Sequence, residues 1–305
     1  MRIGVDIGGT KIEVAALDAA GNTPIRQRVE MPHHDYRATV AAVRDLISKV
    51  EGEIGGRAKS IGIGMPGSIS PVTGLVKNSP NAPINGHPFD KDLESALGGR
   101  SLRFANDANC LALSESVDGA GKGLTVVFGV ILGTGVGGGT IVRGRMITGH
   151  NNIAGEWGHS PLPGPRDDER HGPLCACGQS GHIEAFLSGR ALTRDHLAAT
   201  GESLDPPEIE ARAKAGDGPA EATLARYEDR LARALATVIN LLDPDGIVLG
   251  GGLGNMDRLY LNVPKLWGSY VYSDFVTTPL LKPKWGDSSG VRGAALLWER
   301  GEGVD

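Results

Sequence analysis

The sequence has little cysteine, no long hydrophobic run and no excess of positive charge. Three cysteines in 305 residues cannot form the disulfide framework of a small secreted protein. No apolar run approaches the roughly 18 residues of a membrane-spanning helix, and no signal-peptide pattern is present, so we expect a soluble, cytoplasmic protein. The net charge of −5 argues against nucleic acid or an anionic membrane as a partner.

Glycine, in contrast, is abundant. The chain contains 46 glycines, about twice the share found in an average globular protein, and they show no Gly-X-Y period of the collagen type. Such a composition indicates that backbone must approach other groups closely at many positions. At roughly 150 residues per domain, the length predicts two domains.

The hydrophobic pattern alternates between strands and helices, which is typical of an α/β protein. It predicts a hairpin with strands at 2–7 and 12–17, helices at about 36–54, 89–97, 107–117, 218–242 and 290–299, and strands at about 60–65, 102–104, 126–132, 140–142 and 245–249. Asn106 and Asp107 fall where a strand gives way to a helix, and we expect Asp107 in the N-cap position.

A strand, glycine turn, strand module occurs twice, about 125 residues apart. The turns span Gly8–Lys11 and Gly133–Gly139, and their bare backbone N–H groups could bind one polyphosphate from both sides. The alternative is that each turn only closes a tight hairpin. The first turn is not a Walker loop, because Gly-x4-Gly-Lys-Ser/Thr is absent. Asp6, at the end of the first strand, could hold magnesium or could simply cap the hairpin.

Two of the cysteines, Cys175 and Cys177, are separated by one residue. This spacing favours a pair of metal ligands over a disulfide. Around them, residues 150 to 185 are irregular and rich in Pro, Gly and His. The sequence therefore predicts a metal-binding loop in the second half of the chain.

Taken together, the motifs resemble the ROK family (repressors, open reading frames, kinases). They are residues 6–11 (DIGGTK), 106–110 (NDANC), 133–135 (GTG), 156–159 (EWGH) and 175–184 (CACGQSGHIE), and their order along the chain is that of the family. The resemblance implies an actin-like ATPase (ribonuclease H-like) α/β fold, with sugar and ATP in a cleft between two lobes. The implied lobes are 1–117, completed by a C-terminal helix over 288–305, and 118–287, which carries the zinc-binding loop.

The family resemblance also implies which residues bind substrates and cofactors. The implied ATP-binding residues are Gly8, Gly9, Thr10, Lys11, Gly133, Thr134, Gly135 and Gly137, with Gly251 and Gly252 near the adenosine, and Asp6 would hold Mg²⁺. On this interpretation, much of the glycine excess serves backbone contacts to phosphate. The implied sugar-binding residues are Asn106, Asp107, Glu156, His159 and Glu184, with Asp107 as general base. From local pattern alone, Asp107 could instead be only a helix cap, and each glutamate could be an ordinary surface residue.

The implied structural zinc ligands are His159, Cys175, Cys177 and His182. The last ligand departs from the family pattern, which usually has cysteine where this chain has His182. Because imidazole is an ordinary zinc ligand, a site with two cysteines and two histidines is chemically sound. The alternative is that the substitution has removed zinc.

The acceptor sugar is predicted from three further segments. Residues 66–78, 85–93 and 286–295 resemble the fructokinase and mannokinase branch, which implies ATP-dependent transfer to the 6-hydroxyl of fructose, and of mannose or glucose as well. N-acetylglucosamine kinase and glucokinase are the alternatives within the family. A non-catalytic, sugar-sensing regulator is a further alternative; the position of Asp6 near the start, with no DNA-binding segment ahead of it, argues against this class. The resemblance also implies a homodimer.

Overall fold

The computed structural model describes residues 1–79 and 82–298, and its first half is built on a five-stranded sheet. The strands of this half are β1 (Arg2–Ile7), β2 (Lys11–Leu17), β3 (Ile25–Glu30), β4 (Ile61–Met65), β5 (Ser68–Ile69), β6 (Val76–Lys77) and β7 (Arg103–Asn106). The sheet order is β3-β2-β1-β4-β7, while β5 and β6 form a separate small hairpin. Strands β1, β4 and β7 are parallel, so their carboxyl ends meet at one edge.

The second half repeats this design. Its strands are β8 (Val126–Leu132), β9 (Val136–Val142), β10 (Arg145–Ile147), β11 (Gly246–Gly250) and β12 (Leu280–Leu281), in the order β10-β9-β8-β11-β12. In both sheets, three antiparallel strands are followed by two strands parallel to the first. The repeated module predicted from the sequence is confirmed.

Nine helices of the described chain cover the two sheets. They are α1 (Tyr36–Glu53), α2 (Phe89–Ala96), α3 (Asp107–Val117), α4 (Glu184–Leu187), α5 (Gly189–Thr200), α6 (Pro206–Lys214), α7 (Gly218–Leu242), α8 (Asp257–Trp267) and α9 (Ser289–Leu296). Apolar residues of α1 pack on the outer face of the first sheet, and those of α7 and α8 pack in the core of the second. Among the described helices, none combines the length and apolar character that a bilayer crossing requires.

Helices α3 and α9 lie between the two sheets, and each packs on the sheet formed by the other half of the chain. Helix α3 follows β7 of the first sheet but packs on β8 and β9 of the second. Helix α9 follows β12 of the second sheet but packs on β1 and β4 of the first, and the two helices pack against each other. This two-lobed arrangement is the actin-like ATPase fold that the sequence predicted.

Glycines allow these inner layers to pack at backbone contact. A Cβ added at Gly4 of β1 would lie 1.9 Å from the carbonyl oxygen of Val291. At Gly293 of α9 it would lie 1.8 Å from the carbonyl oxygen of Cys110 on α3. The interpretation of the glycine excess as mainly a set of phosphate contacts is therefore corrected, because many glycines serve helix packing.

The second glycine turn is also shorter than the sequence predicted. Strand β9 begins at Val136, so the turn comprises only Gly133–Gly135. Gly137 pairs with Ile131 in the sheet, and a Cβ there would lie 3.3 Å from that of Ala108 on α3. Glycine permits such close packing inside a strand as well as in a turn, which is why composition alone misled the prediction.

The main predicted helices are confirmed within a few residues. The final helix, expected over about 290–299, is observed over Ser289–Leu296, and residues 299–305 of the predicted C-terminal helix lie outside the described residues. The division into lobes at 117 and 287 stays a prediction.

Candidate active site

Asn106 and Asp107 stand where β7 ends and α3 begins. The Asn106 side chain is the helix cap, since its oxygen accepts from the backbone N–H of Ala108 at 2.9 Å. Its amide nitrogen donates to the carbonyl oxygen of Gly67 at 3.3 Å. The predicted capping role of Asp107 is therefore wrong by one position. Asp107 is the first helical residue, and its carboxylate also accepts from Ala108 N–H, at 2.8 Å.

The carboxyl of Asp107 is suited to accept a proton near neutral pH. Burial, with a smaller contribution from the negative charge of Glu156, raises its pKa to about 6 against the opposing effect of the Ala108 N–H. A general base works best when its pKa lies close to the operating pH. Asp107 therefore has the electrostatic character of a base rather than only of a capping residue.

Asp6 lies at the end of β1, close to Asp107. Burial, and then the charge of Asp107, raise its pKa to about 7. A Cβ at Gly290, in the first turn of α9, would lie 2.9 Å from an Asp6 carboxylate oxygen, so glycine leaves room for the carboxylate. A second half-buried carboxylate beside Asp107 offers the hard oxygen ligands that Mg²⁺ prefers, which fits the predicted metal role.

The first predicted phosphate turn is open to solvent. The N–H of Gly8 donates to the carbonyl of Lys11 at 2.9 Å, which closes the turn. Gly9, Thr10 and Lys11 are exposed, and a Cβ added at Gly9 would meet no atom within 4 Å. The turn therefore presents free backbone next to Asp6.

The second and third predicted turns lie side by side at the carboxyl ends of β8 and β11. Gly251 has a positive φ of 81°, and a Cβ there would lie 2.4 Å from the carbonyl oxygen of Leu132, the residue before Gly133. Gly252 is exposed and opens a short 3₁₀ turn. The structure thus brings Gly133, Thr134, Gly135, Gly251 and Gly252 together and leaves Gly137 inside β9.

Glu184, at the start of α4, joins the second turn to the metal-binding loop. One carboxylate oxygen accepts from the N–H of Val136 at 2.9 Å, and the other accepts from the Cys175 thiol at 3.6 Å. Gly135 sits directly against this carboxylate, where a Cβ would approach it within 2.8 Å. The predicted sugar and ATP residues therefore meet at Glu184.

Glu156 immediately precedes a short 3₁₀ turn over Trp157–His159, and His159 is its last residue. Burial raises the pKa of Glu156, and of its charged neighbours Glu184 raises it while His159 and Lys77 lower it. His159 and Glu184 both contact Cys175 Sγ, at 3.6 Å each, and the charge of Glu156 in turn raises the pKa of Asp107, so the four side chains lie in one cluster. The predicted sugar-binding residues are thus brought together.

His159, Cys175, Cys177 and His182 form a compact group in which one ligand atom from each lies within 4.8 Å of all the others. Cys175 Sγ lies 3.6 Å from His159 Nδ1, and Cys177 Sγ lies 3.2 Å from His182 Nδ1. Sulfur and nitrogen ligands of a tetrahedral zinc lie about 3.5 Å apart, given Zn–S and Zn–N bonds of about 2.3 and 2.0 Å. The donor set and its spacing fit zinc, with His182 in the fourth position.

The structure adds residues that the sequence did not single out. Lys77 Nζ of the β5–β6 hairpin donates to the carbonyl of Asn151 at 2.9 Å, and Asn152 donates to the carbonyl of Ile69 at 3.2 Å. The hydroxyl of Ser68 is buried and has no hydrogen-bond partner among the described residues. These contacts join segments far apart in the chain, so no local pattern could have indicated them.

Comparison with known proteins places the whole chain in one family. The sequence matches the ROK family over residues 2–301. It is 38% identical to an N-acetyl-D-glucosamine kinase of Yersinia enterocolitica, with 97% of this chain and 99% of that protein covered, and 39% identical to one from Vibrio atlanticus, with 97% and 99% covered.

Solved structures agree. A ROK hexokinase from Thermus thermophilus superposes with a TM-score of 0.85 at 32% identity, covering 97% of this chain and 96% of that one. A ROK glucokinase from Streptomyces griseus, in complex with glucose and AMPPNP, has a TM-score of 0.83 at 28% identity, covering 98% and 99%. Sequence motifs, the two-sheet architecture and full-length relatives all lead to one conclusion: the chain belongs to the ROK family.

Proposed function

We propose that this protein is an ATP-dependent hexose kinase with Asp107 as general base. The observation that carries the proposal is a half-buried carboxylate, with pKa raised to about 6, at a helix start near exposed glycine turns. A base of that strength can accept the hydroxyl proton while the sugar oxygen bonds to the γ-phosphorus. The bond to the leaving oxygen of ADP breaks in the same transfer.

The other residues position the two substrates. Asn106, Glu156, His159 and Glu184 would hold sugar hydroxyls around Asp107, and the turns at Gly8–Lys11 and Gly133–Gly135 would hold the phosphates. Gly251 and Gly252 would lie near the adenosine, and Gly137 would support the second turn from within β9. Asp6 would hold Mg²⁺, which neutralises charge on the transferred phosphoryl group when bound.

Two acceptors have specific support. The full-length relatives in Yersinia and Vibrio are N-acetylglucosamine kinases, which favours that sugar. Residues 66–78, 85–93 and 286–295 resemble the fructokinase branch, which favours fructose. We place N-acetylglucosamine first, because its support extends over 97% of the chain.

A coupled assay of ADP release across N-acetylglucosamine, fructose, mannose and glucose tests the proposal. We expect turnover with at least one hexose and highest kcat/KM with N-acetylglucosamine. Highest kcat/KM with fructose would restore the sequence-based expectation. No ADP release above background with any of the four would contradict the kinase proposal and favour a sugar-sensing regulator.

We also propose a structural zinc on His159, Cys175, Cys177 and His182. Its effect would be to fix the loop that carries His159 and Glu184 against the sugar. Metal analysis of the purified protein should give about one zinc per chain, as a four-ligand site predicts. His182→Cys should retain zinc and His182→Ala should lose it, whereas a wild-type content near zero would contradict the site.

The remaining proposals concern the cellular location, the oligomeric state and the partners of the protein. A cytoplasmic location, a homodimer and the absence of a nucleic-acid partner follow from the family resemblance and the acidic charge. Sedimentation equilibrium measures the oligomer directly; a monomer at micromolar concentration would contradict the dimer.

A further inference from the structure

Glu115 is a fully buried carboxylate at the centre of the molecule. It lies on α3, two turns after Asp107, and has 0% exposure. Four groups donate to its oxygens: the N–H of Ala120 at 2.8 Å, of Lys284 at 2.9 Å and of Trp285 at 3.2 Å, and the hydroxyl of Ser289 at 2.7 Å. The side chain is thus held by a hydroxyl and three backbone N–H groups.

These donors come from the two segments that join the second sheet to α3 and to α9. Ala120 belongs to the segment that leaves α3 for β8, while Lys284, Trp285 and Ser289 belong to the segment that leads into α9. A Cβ added at Gly119 would lie 2.2 Å from a Glu115 oxygen, so the first segment folds directly over the carboxylate. The Glu115 side chain therefore holds both connecting segments through hydrogen bonds.

The same contacts connect Glu115 to the two carboxylates of the candidate active site. Asp107 begins the helix on which Glu115 lies. Ser289 begins α9, and the next residue, Gly290, is the one against which the Asp6 carboxylate rests. The two helix starts are thereby held in one relative position.

A neighbouring network supports this arrangement. Trp285 Nε1 donates to Asp118 at 2.9 Å, and Arg292 of α9 pairs with the other Asp118 oxygen at 2.8 Å. The Arg292 guanidinium also stacks over the Trp285 ring at 3.6 Å. Asp118, directly after α3, therefore also bonds to the segment that leads into α9 and to α9 itself. These contacts restrict the movement of α3 relative to α9.

We infer that Glu115 is a positioning residue for phosphoryl transfer, which sets the place of Asp107 relative to Asp6 through α3 and α9. The inference rests on the proposed kinase function. Glutamine is nearly the same size, but its NH₂ group can only donate, and in either orientation it would face backbone N–H donors: those of Ala120 and Lys284, or that of Trp285. Glu115→Gln should therefore loosen the junction without leaving a large cavity.

The test compares Glu115→Gln with Glu228→Gln. Glu228 is also buried, at 4% exposure, and accepts from Arg258 and Asn262 between α7 and α8, away from α3 and α9. Both variants should lower Tm. Only Glu115→Gln should lower kcat, by roughly 10- to 100-fold, because sub-ångström positioning controls transfer. Sugar affinity by calorimetry should change much less than kcat, since Glu156 and Glu184, which would also hold the sugar, lie outside α3 and α9.

Ser289→Ala removes only the hydroxyl that donates to Glu115. It tests the positioning role of Glu115 if the Glu115→Gln protein does not fold. A reduced kcat in Ser289→Ala, with sugar affinity retained, supports the inference. An unchanged kcat in Ser289→Ala, or a Glu115→Gln enzyme no slower than Glu228→Gln, overturns it. Failure of the kinase proposal would look different, because the wild-type protein itself would then release no ADP.

Discussion

At the scale of single residues, the candidate site contains two carboxylates whose ionisation is made less favourable by burial. Asp107 and Asp6 are carboxylates whose pKa values burial raises, to about 6 and about 7. A carboxylate with a raised pKa is easier to protonate in the folded than in the unfolded chain. The contribution of these two groups to stability is therefore fully present below about pH 4 and is lost as the pH rises through about 6 and 7.

Replacing Asp107 by asparagine should separate activity from stability. The amide cannot accept the hydroxyl proton, so kcat should fall by about 10²- to 10⁴-fold while sugar still binds in calorimetry. The buried charge is removed, so the variant should be more stable than the wild type at pH 8, by on the order of 2 kcal/mol. This gain should disappear at pH 4, where Asp107 is protonated.

Urea unfolding at the two pH values measures the stability difference. Asp274→Asn, at an exposed position, provides a control for the same chemical change away from the site. An Asp107→Asn enzyme that keeps most of the wild-type kcat would exclude Asp107 as the base.

The pH dependence of the wild-type enzyme follows from the same group. Because Asp107 must be ionised to accept a proton, kcat/KM should rise with pH through about 6. The charge of Glu156 contributes to the raised pKa, so Glu156→Gln should move the midpoint to lower pH while reducing kcat/KM overall. Initial rates between pH 4.5 and 8.5 measure both profiles. A midpoint that stays in place, or moves upward, would contradict this assignment.

At the scale of helices and strands, glycine decides how closely the layers approach. Gly293 of α9 faces the backbone of Cys110, where a Cβ would come within 1.8 Å of the carbonyl oxygen. Gly293→Ala should therefore destabilise the protein by about 3 kcal/mol or more, because backbone cannot yield as a flexible side chain can. Urea unfolding provides the measurement.

Gly52, near the end of α1, is the matched control. A Cβ at Gly52 would meet no atom within 4 Å, so Gly52→Ala should stabilise the helix by up to about 1 kcal/mol. Equal effects of the two substitutions would show that the α3–α9 contact has freedom to adjust.

Elements with a strong local period could be predicted, whereas those fixed by distant contacts could not. Helix α7, with its apolar stripe, is observed over the residues that its pattern predicts. The Gly133–Gly139 run was misassigned, because pairing with β8 and packing on α3 draw its second half into a strand. The N-cap shifted to Asn106 because only the structure shows which side chain reaches the Ala108 N–H.

The residues of the site also fall into two groups: those that local motifs predict and those that depend on distant contacts. Asp107, Glu156, His159 and Glu184 lie in motifs that resemble those of a known family, and the structure brings them together. Glu115 lies in no such motif, and its donors are 5, 169, 170 and 174 residues away in sequence. A carboxylate whose role depends on backbone donors so distant leaves no signal in a single sequence.

At the scale of the whole molecule, the exchange of helices makes each lobe depend on the other half of the chain. A fragment of residues 1–117 would contain α3 without the sheet on which it packs, and would lack α9. We expect neither 1–117 nor 118–305 to unfold cooperatively by itself, and we expect their co-expression to restore a soluble complex. Circular dichroism during heating tests each fragment; a cooperative transition in 1–117 alone would contradict this dependence.

The position of α9 also determines when the protein can fold during synthesis. All five strands of the first sheet have been made once Asn106 is added, but the helix that covers its inner face is complete only at Leu296. At about 5–20 residues per second, a ribosome needs roughly 10 to 40 s to make the chain between these two points. Throughout that interval α9 is not yet available to cover the glycine-lined face of the first sheet. We therefore expect the nascent chain to need chaperones at this face, and the first lobe to finish folding only after the second half has been made.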